Sequence, residues 1–192
     1  MSVPARFSPE VLLQAQDVRL AIFDVDGVLT DGRLYYGAEG EAFKVFHVLD
    51  GHGLKLLSRF GITPAVITGR DHPALRRRLA DLGVTHAYYG VADKDRAAQD
   101  LLSRMGCGWE ACAAMGDDWP DLGLLQRARF ACAPPQAHPD VLQVVHHVTR
   151  AGGGQGAVRE CCDLLLMAAG AYGRALREHH VTLDQPAQAP RA

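Results

Sequence analysis

The ten residues FDVDGVLTDG (23–32) follow the apolar run VRLAI and carry three carboxylates, Asp24, Asp26 and Asp31, with Gly27 and Gly32 among them. An apolar run that ends in Asp reads as a buried strand delivering acid groups to its carboxyl end, the end where open α/β sheets bind ligands. Carboxylates that close repel one another unless a positive charge lies between them. The stretch therefore sets two expectations: a strand over 18–23, and a cation-dependent site just beyond it.

Working outward, Ser8-Pro9-Glu10 has the order N-cap, Pro at the first helical position, early acid, and opens a helix to about Asp17. Aromatic and β-branched residues flank GAEGE in GRLYYGAEGEAFKVF (32–46), which predicts a β-hairpin. DGHGLKLLSRFG then gives a helix closed by Gly61. TPAVIT (63–68) is a strand, followed by Gly69 and a helix from Asp71 or His72 to Leu82 with Gly83 as its C-cap. THAYY is strand-like and Asp93 caps a helix through Met105. EACAAM (110–115) is a strand ending in Gly116-Asp117-Asp118, with a helix after it. RFACAP (129–134), HPDVLQVV and HHVT close the series, and after AGGGQG (151–156) comes one last helix, 157 to about 178. Strands alternating with helices of ten or so residues predict an α/β fold with a doubly wound, mostly parallel, Rossmann-like sheet. One domain over 1–180 is expected, with the Pro- and Ala-rich VTLDQPAQAPRA (181–192) as a disordered tail.

Composition narrows the function classes. The 192 residues are 48% apolar and 22% charged with a net charge of −2, which leaves no electrostatic footprint for nucleic acid. Five cysteines (107, 112, 132, 161, 162) form no CxxC pair and read as buried thiols of a reducing compartment. The stretch MSVPARFSPE lacks the basic and apolar regions of a signal peptide. The longest apolar run, LLLMAAGAY (164–172), is far short of the roughly 20 residues of a membrane span. A cytoplasmic location and no membrane partner are expected.

Four features fall at strand ends: Asp24-x-Asp26, Thr68, Lys94 and Asp117-Asp118. Each alone has an ordinary reading. DxDG is common in turns, Thr68-Gly69 suits a strand-to-helix turn, Lys94 a solvated helix position, and Asp117-Asp118 a helix N-cap. In this order, parallel topology would gather them on one edge. Hard oxygen ligands of this kind suit Mg²⁺, which takes a few carboxylates, waters and a substrate phosphate oxygen. Asp24 would attack phosphorus and form an aspartyl-phosphate, and Asp26 would donate a proton to the leaving alcohol and later take one from water. Thr68 and Lys94 would hold the transferring oxygens, and Asp117 would anchor the metal.

FDVDGVLTDG, VITGR (66–70), Lys94 and MGDDWPD (115–121) resemble the four motifs of the haloacid dehalogenase superfamily of phosphatases. The resemblance implies Asp24 as nucleophile, Asp26 as acid/base, and Thr68 and Lys94 as phosphate holders. It also implies Asp24, Asp26 (through its backbone carbonyl) and Asp117 as Mg²⁺ ligands. The intervals Asp31–Thr68 and Lys94–Asp117 already hold the predicted elements, so no cap domain fits and the protein is expected to be capless. The hairpin, FKVFHVLDGHG (43–53) and VTRAGGGQGAVRECCDLLL (148–166) further resemble the capless, tetrameric 3-deoxy-D-manno-octulosonate 8-phosphate phosphatase family of lipopolysaccharide precursor synthesis. That resemblance covers roughly residues 10–175. It implies a homotetramer in which hairpins form a central barrel and a neighbour completes each site. By position it places substrate contacts at Asp26, His47, Val48, Leu49, Asp50, Gly51, Lys55, Arg70, Arg78 and Lys94.

The chain departs from the family run where His47 replaces Asn, Leu49 stands where some members have Arg, and Lys55 stands where Arg is frequent. His47 reads either as a substrate contact or as hairpin packing, and Arg78 either as a contact or as a solvated helix residue. Leu34, Tyr35, Tyr36, Phe43, Val45 and Phe46 make the hairpin more apolar than a solvated one needs, so it buries against copies of itself or folds onto its own core. Two alternatives stay open: a phosphatase for another sugar phosphate, such as a nine-carbon sialic-type acid, and a non-catalytic assembly module.

Overall fold

The computed structural model describes residues 7–179, so the expectations for 181–192 lie outside the described residues. The chain runs α1 (Pro9–Gln14), β1 (Leu20–Phe23), β2 (Tyr35–Gly37), β3 (Gly40–Phe43), α2 (Val48–Arg59), β4 (Thr63–Ile67), α3 (Pro73–Leu82), β5 (His86–Tyr88) and α4 (Lys94–Met105). It continues with β6 (Cys112–Met115), α5 (Leu122–Arg127), β7 (Phe130–Ala133), α6 (Pro139–Leu142), β8 (His147–Val148), α7 (Ala157–Ala168) and α8 (Tyr172–His179).

Six strands form one parallel sheet in the order β5-β4-β1-β6-β7-β8. β1 is central and fully buried because both its faces are covered, and its side chains alternate between two cores. Ala21 and Phe23 pack with α2, α3 and α7, while Leu20 and Ile22 pack with α4 and α5. Burial of each large side chain contributes about 1.5–3 kcal/mol. The chain first builds outward from β1 through β4 to β5, then returns to the other side of β1 with β6. The strand order therefore reverses between β1 and β6, and the crevice beyond their carboxyl ends is the ligand position of a doubly wound sheet. Asp24 follows β1 and Asp117 follows β6.

Several expected boundaries move. α1 stops at Gln14, and Asp17, the end expected for it, sits at φ 63°. Glu110 and Ala111 belong to a 3-10 turn rather than to β6. HPDVLQVV yields only the short α6, and HHVT a two-residue strand. The expected single helix from 157 to about 178 is two helices: Gly170, at φ 66°, ends the first and lets Ala171 N–H bond Leu166 O at 2.8 Å.

The hairpin β2–β3 is a separate two-stranded antiparallel sheet, with Tyr35 stacked on Phe43 at 4.7 Å between ring centroids. It leans over the carboxyl end of the main sheet through its charged residues. Its apolar residues Leu34, Tyr36, Phe43 and Val45 stay exposed, Tyr36 by 67%. Among the described residues no helix is long and apolar enough to cross a membrane, and the five cysteines are free thiols.

Candidate active site

The loop after β1 turns sharply because Val28 and Thr30 N–H groups both return to Val25 O, which brings Asp24 and Asp26 to the crevice. Lys94 is the first residue of α4, whose N-cap Asp93 accepts from Arg96 N–H at 2.9 Å. The ammonium is buried, donates to Asp121 Oδ1 at 2.7 Å and stands 2.8 Å from Asp24 Oδ1. Burial works to lower the Lys94 pKa, but the two carboxylates outweigh it and raise it. Thr68 follows β4 directly and is buried, its Oγ1 accepting from Arg70 N–H at 3.3 Å.

Asp24, Asp117 and Asp121 each offer a carboxylate oxygen within 4.8 Å of the others. Three acids thus face one ammonium. Burial, then repulsion from Asp121, pushes Asp24 up to about 6 against the pull of Lys94. Burial, then the charges of Asp24 and Asp121, pushes Asp117 up to about 7. Asp121 was missed as a site residue by sequence reasoning, although the third acid of MGDDWPD was its signal. Its Oδ1 accepts from Lys94, and its Oδ2 accepts from the N–H groups of Asp117 (3.2 Å) and Asp118 (3.4 Å). Among the described residues no donor reaches the Asp117 carboxylate, so Asp117 is the acid left free to bind a cation, with Asp121 as its brace. Gly27 makes room for it: at φ 89°, a Cβ there would lie 1.9 Å from Asp117 Oδ2.

This surplus of charge has a thermodynamic sign. An acid whose folded pKa lies above its unfolded value binds protons more tightly when folded, so stability falls as pH rises from about 4 to about 7. With chelator at pH 8, Asp117→Asn is expected to melt above the parent protein by about 2–5 °C, partial exposure of Asp117 holding the gain near 1 kcal/mol. Below pH 4 the two melting curves meet. Thermal melts from pH 4 to 8 check this.

Asp26 heads a second cluster. Lys44 Nζ lies 2.5 Å from Asp26 Oδ1 and 2.8 Å from Glu41 Oε1. Arg70 Nη2 donates to Glu41 Oε2 at 2.6 Å, while Arg70 Nε stands 3.6 Å from Asp26 Oδ2. Burial alone would raise the Glu41 pKa, but hydrogen bonds from Lys44 and Arg70 hold it below the usual range. Glu41 O also meets His72 Nε2 at 3.1 Å. The charged side of the hairpin therefore folds onto this chain's own site, and neither Glu41 nor Lys44 was found from sequence.

The remaining sequence-derived contacts gather at the start of α2. His47 is its N-cap without a side-chain cap bond, and its Nδ1 is buried with no hydrogen-bond partner among the described residues. Val48 and Leu49 are exposed, Val48 by 76%. Arg78 Nη2 lies 3.5 Å from His47 O and directly over Gly51, where a Cβ would sit 2.3 Å from it. Lys55 is exposed, one helical turn beyond Gly51 on the same face. Asp50 is buried, and its carboxylate caps α7, accepting from Arg159 N–H at 2.8 Å and Gly156 N–H at 3.3 Å. Burial pushes its pKa up against these donors.

The glycine-rich stretch before α7 braces the loop after β1. Gly154 N–H bonds Val28 O at 2.9 Å, Gln136 Nε2 donates to Gly27 O at 2.8 Å, and Gly153 N–H bonds Gln136 Oε1 at 3.2 Å. A Cβ on Gly153 would stand 1.8 Å from Gly27 O, so only glycine permits this approach.

The haloacid dehalogenase-like hydrolase family matches residues 90–158. The 3-deoxy-D-manno-octulosonate 8-phosphate phosphatase KdsC of Escherichia coli K12 is 43% identical over 163 residues, 85% of this chain and 87% of its own. A crystal structure of the Moraxella catarrhalis 3-deoxy-D-manno-octulosonate 8-phosphate phosphatase, in complex with magnesium, phosphate and KDO, superposes with a TM-score of 0.87 at 36% identity, covering 91% of this chain and 100% of that one. The cobalt-bound phosphatase from Haemophilus influenzae superposes with a TM-score of 0.80 at 43% identity, over 83% of this chain and 93% of that one. With this degree of identity and structural similarity along most of its length, the chain belongs to the 3-deoxy-D-manno-octulosonate 8-phosphate phosphatase family of the haloacid dehalogenase-like hydrolases.

Proposed function

We propose that the protein hydrolyses 3-deoxy-D-manno-octulosonate 8-phosphate to the free sugar acid and phosphate, a step of lipopolysaccharide precursor synthesis carried out in the cytoplasm. The observation that carries the reading is the convergence of Asp24, Lys94, Asp117 and Asp121 at the reversal of strand order, with Asp26 two residues beyond Asp24 in the same loop. Asp24 Oδ1 faces Lys94, which leaves Oδ2 to attack phosphorus. The ester P–O bond breaks as the Asp24–phosphorus bond forms, and the departing alkoxide takes the proton of the Asp26 carboxyl. Water then attacks the aspartyl-phosphate and gives a proton back to Asp26, restoring both acids. Thr68 and Lys94 hold the phosphoryl oxygens.

The residues fit Mg²⁺: the carboxylates of Asp117, Asp24 and Asp121 lie together in a pocket with more negative than positive charge, and the Asp26 carbonyl, two residues from Asp24, would be a further ligand. Bound there, the ion supplies the countercharge that lets a dianionic ester approach the carboxylates.

Of the contacts implied around the start of α2, Val48, Leu49 and Lys55 are exposed. Together with the exposed apolar face of the hairpin, this supports a homotetramer in which these residues meet a neighbour's substrate, while Asp26, Arg70 and Lys94 serve the site of their own chain.

A panel of phosphate esters tests the reading: the eight-carbon sugar acid phosphate, a nine-carbon sialic-type counterpart, a hexose phosphate and an aryl phosphate, each with Mg²⁺ and with chelator. The eight-carbon ester is expected to lead in kcat/KM by at least about tenfold, with no turnover under chelation. A lead for the nine-carbon ester would move the substrate, and failure with every ester would make the chain an assembly module.

A further inference from the structure

The ammonium of Lys44 comes from the hairpin, outside every motif that carries the chemistry, yet its side chain is only 2% exposed and lies 2.5 Å from the acid/base. It closes a ring of four charges, Asp26–Lys44–Glu41–Arg70, whose links measure 2.5, 2.8, 2.6 and 3.6 Å. The last link is too long for a hydrogen bond. Asp26 Oδ1 is therefore held by Lys44, and Oδ2 is the oxygen left open. Glu41 in turn holds Lys44 from the other side, and its own backbone is tied to α3 through His72 Nε2 at 3.1 Å. With Asp26 ionised the ring is neutral, and it carries one positive charge once Asp26 takes its proton; the Lys44–Asp26 and Arg70–Glu41 links are charge-assisted hydrogen bonds of defined direction.

We infer that Lys44 is a positioning residue for the phosphoryl transfer: it fixes the Asp26 carboxyl so that Oδ2 alone meets the oxygen of the leaving alcohol. The hairpin then does more than present an apolar surface, because it delivers the group that orients the general acid of its own chain. This rests on the phosphatase reading above.

A carboxyl that is correctly aimed matters most when the leaving group cannot depart without a proton. A sugar alkoxide is such a group and 4-nitrophenolate is not. First-turnover rates with enzyme in excess, measured as alcohol release so that hydrolysis of the intermediate does not enter, isolate this step. In full-length Lys44→Met with Mg²⁺, the rate for the sugar ester is expected to fall about a hundredfold and that for 4-nitrophenyl phosphate less than about threefold, the span general-acid catalysis typically covers. KM for both esters should stay within about twofold of the parent's, and Lys44→Arg should recover most of the loss. Circular dichroism and a thermal melt confirm that each variant is folded. Equal losses on the two esters, or a loss lying in KM alone, would overturn the positioning role. If Lys44→Met does not fold, Lys44→Gln is read by the same ratio. A parent enzyme inactive on both esters would instead overturn the phosphatase reading, so the two failures are distinguishable.

Discussion

Asp24→Asn is expected to release no measurable phosphate from any ester, a loss of at least about 10⁴-fold, while its circular dichroism spectrum stays that of the parent. The amide keeps the shape of the side chain at the end of β1 but is a poor nucleophile, and its product could not form an aspartyl-phosphate. The fold should tolerate the change because Asp24 sits where charge is in surplus: its carboxyl is pushed up to about 6 by burial and by Asp121. Replacing it by a neutral group relieves part of that repulsion, although Lys94 loses one of its two partners and keeps Asp121 at 2.7 Å. Phosphate release and thermal melting, measured on the same preparation, check both halves. Retained turnover would remove Asp24 from the role of nucleophile.

Gly27→Ala is expected to be almost as damaging without touching a reacting group. Its methyl would lie 1.9 Å from Asp117 Oδ2, in a backbone conformation (φ 89°) that side chains rarely adopt. The backbone there is pinned by Gln136 at 2.8 Å and by Gly153, so the loop cannot back away, and the Asp117 carboxylate is what must move. Turning Asp117 from Asp24 dismantles the pair of carboxylates that would share a cation. Activity at fixed Mg²⁺ should fall at least about a hundredfold, a loss comparable to that of a misplaced catalytic group. Binding of Mg²⁺ by calorimetry should weaken in parallel, and the melting temperature should drop by several degrees through backbone strain of about 1–2 kcal/mol. An unchanged Mg²⁺ affinity would show that Gly27 does not govern the position of Asp117.

The fold was legible in the sequence because its signals are local. Runs such as LAIF and TPAVI are apolar on both faces and end in polar residues, which is what a buried parallel strand requires. Asp93 and Gly83 cap helices where they were expected. The motif acids at strand ends were legible for the same reason, since topology alone gathers them. What was not legible depends on partners distant in sequence. Lys44 meets Asp26 across 18 residues, Lys94 meets Asp121 across 27, and Asp50 meets Arg159 across 109. No periodicity records such pairings. Asp50 is an example: nothing in the run that resembles a substrate loop records that its carboxylate also caps the start of α7, whose first N–H groups would otherwise lack partners. The break at Gly170 was missed because a helix-period pattern continues on both sides of it, and only the left-handed backbone marks the stop.

The margins of the main sheet are its shortest strands, β5 with three residues and β8 with two. A strand so brief offers an incoming chain too few unpaired N–H and C=O groups to template a new ladder. The central sheet is therefore closed to growth by strand addition, and fibril-like stacking of native molecules through it is blocked. The apolar interior strands β6 and β7 never reach a border.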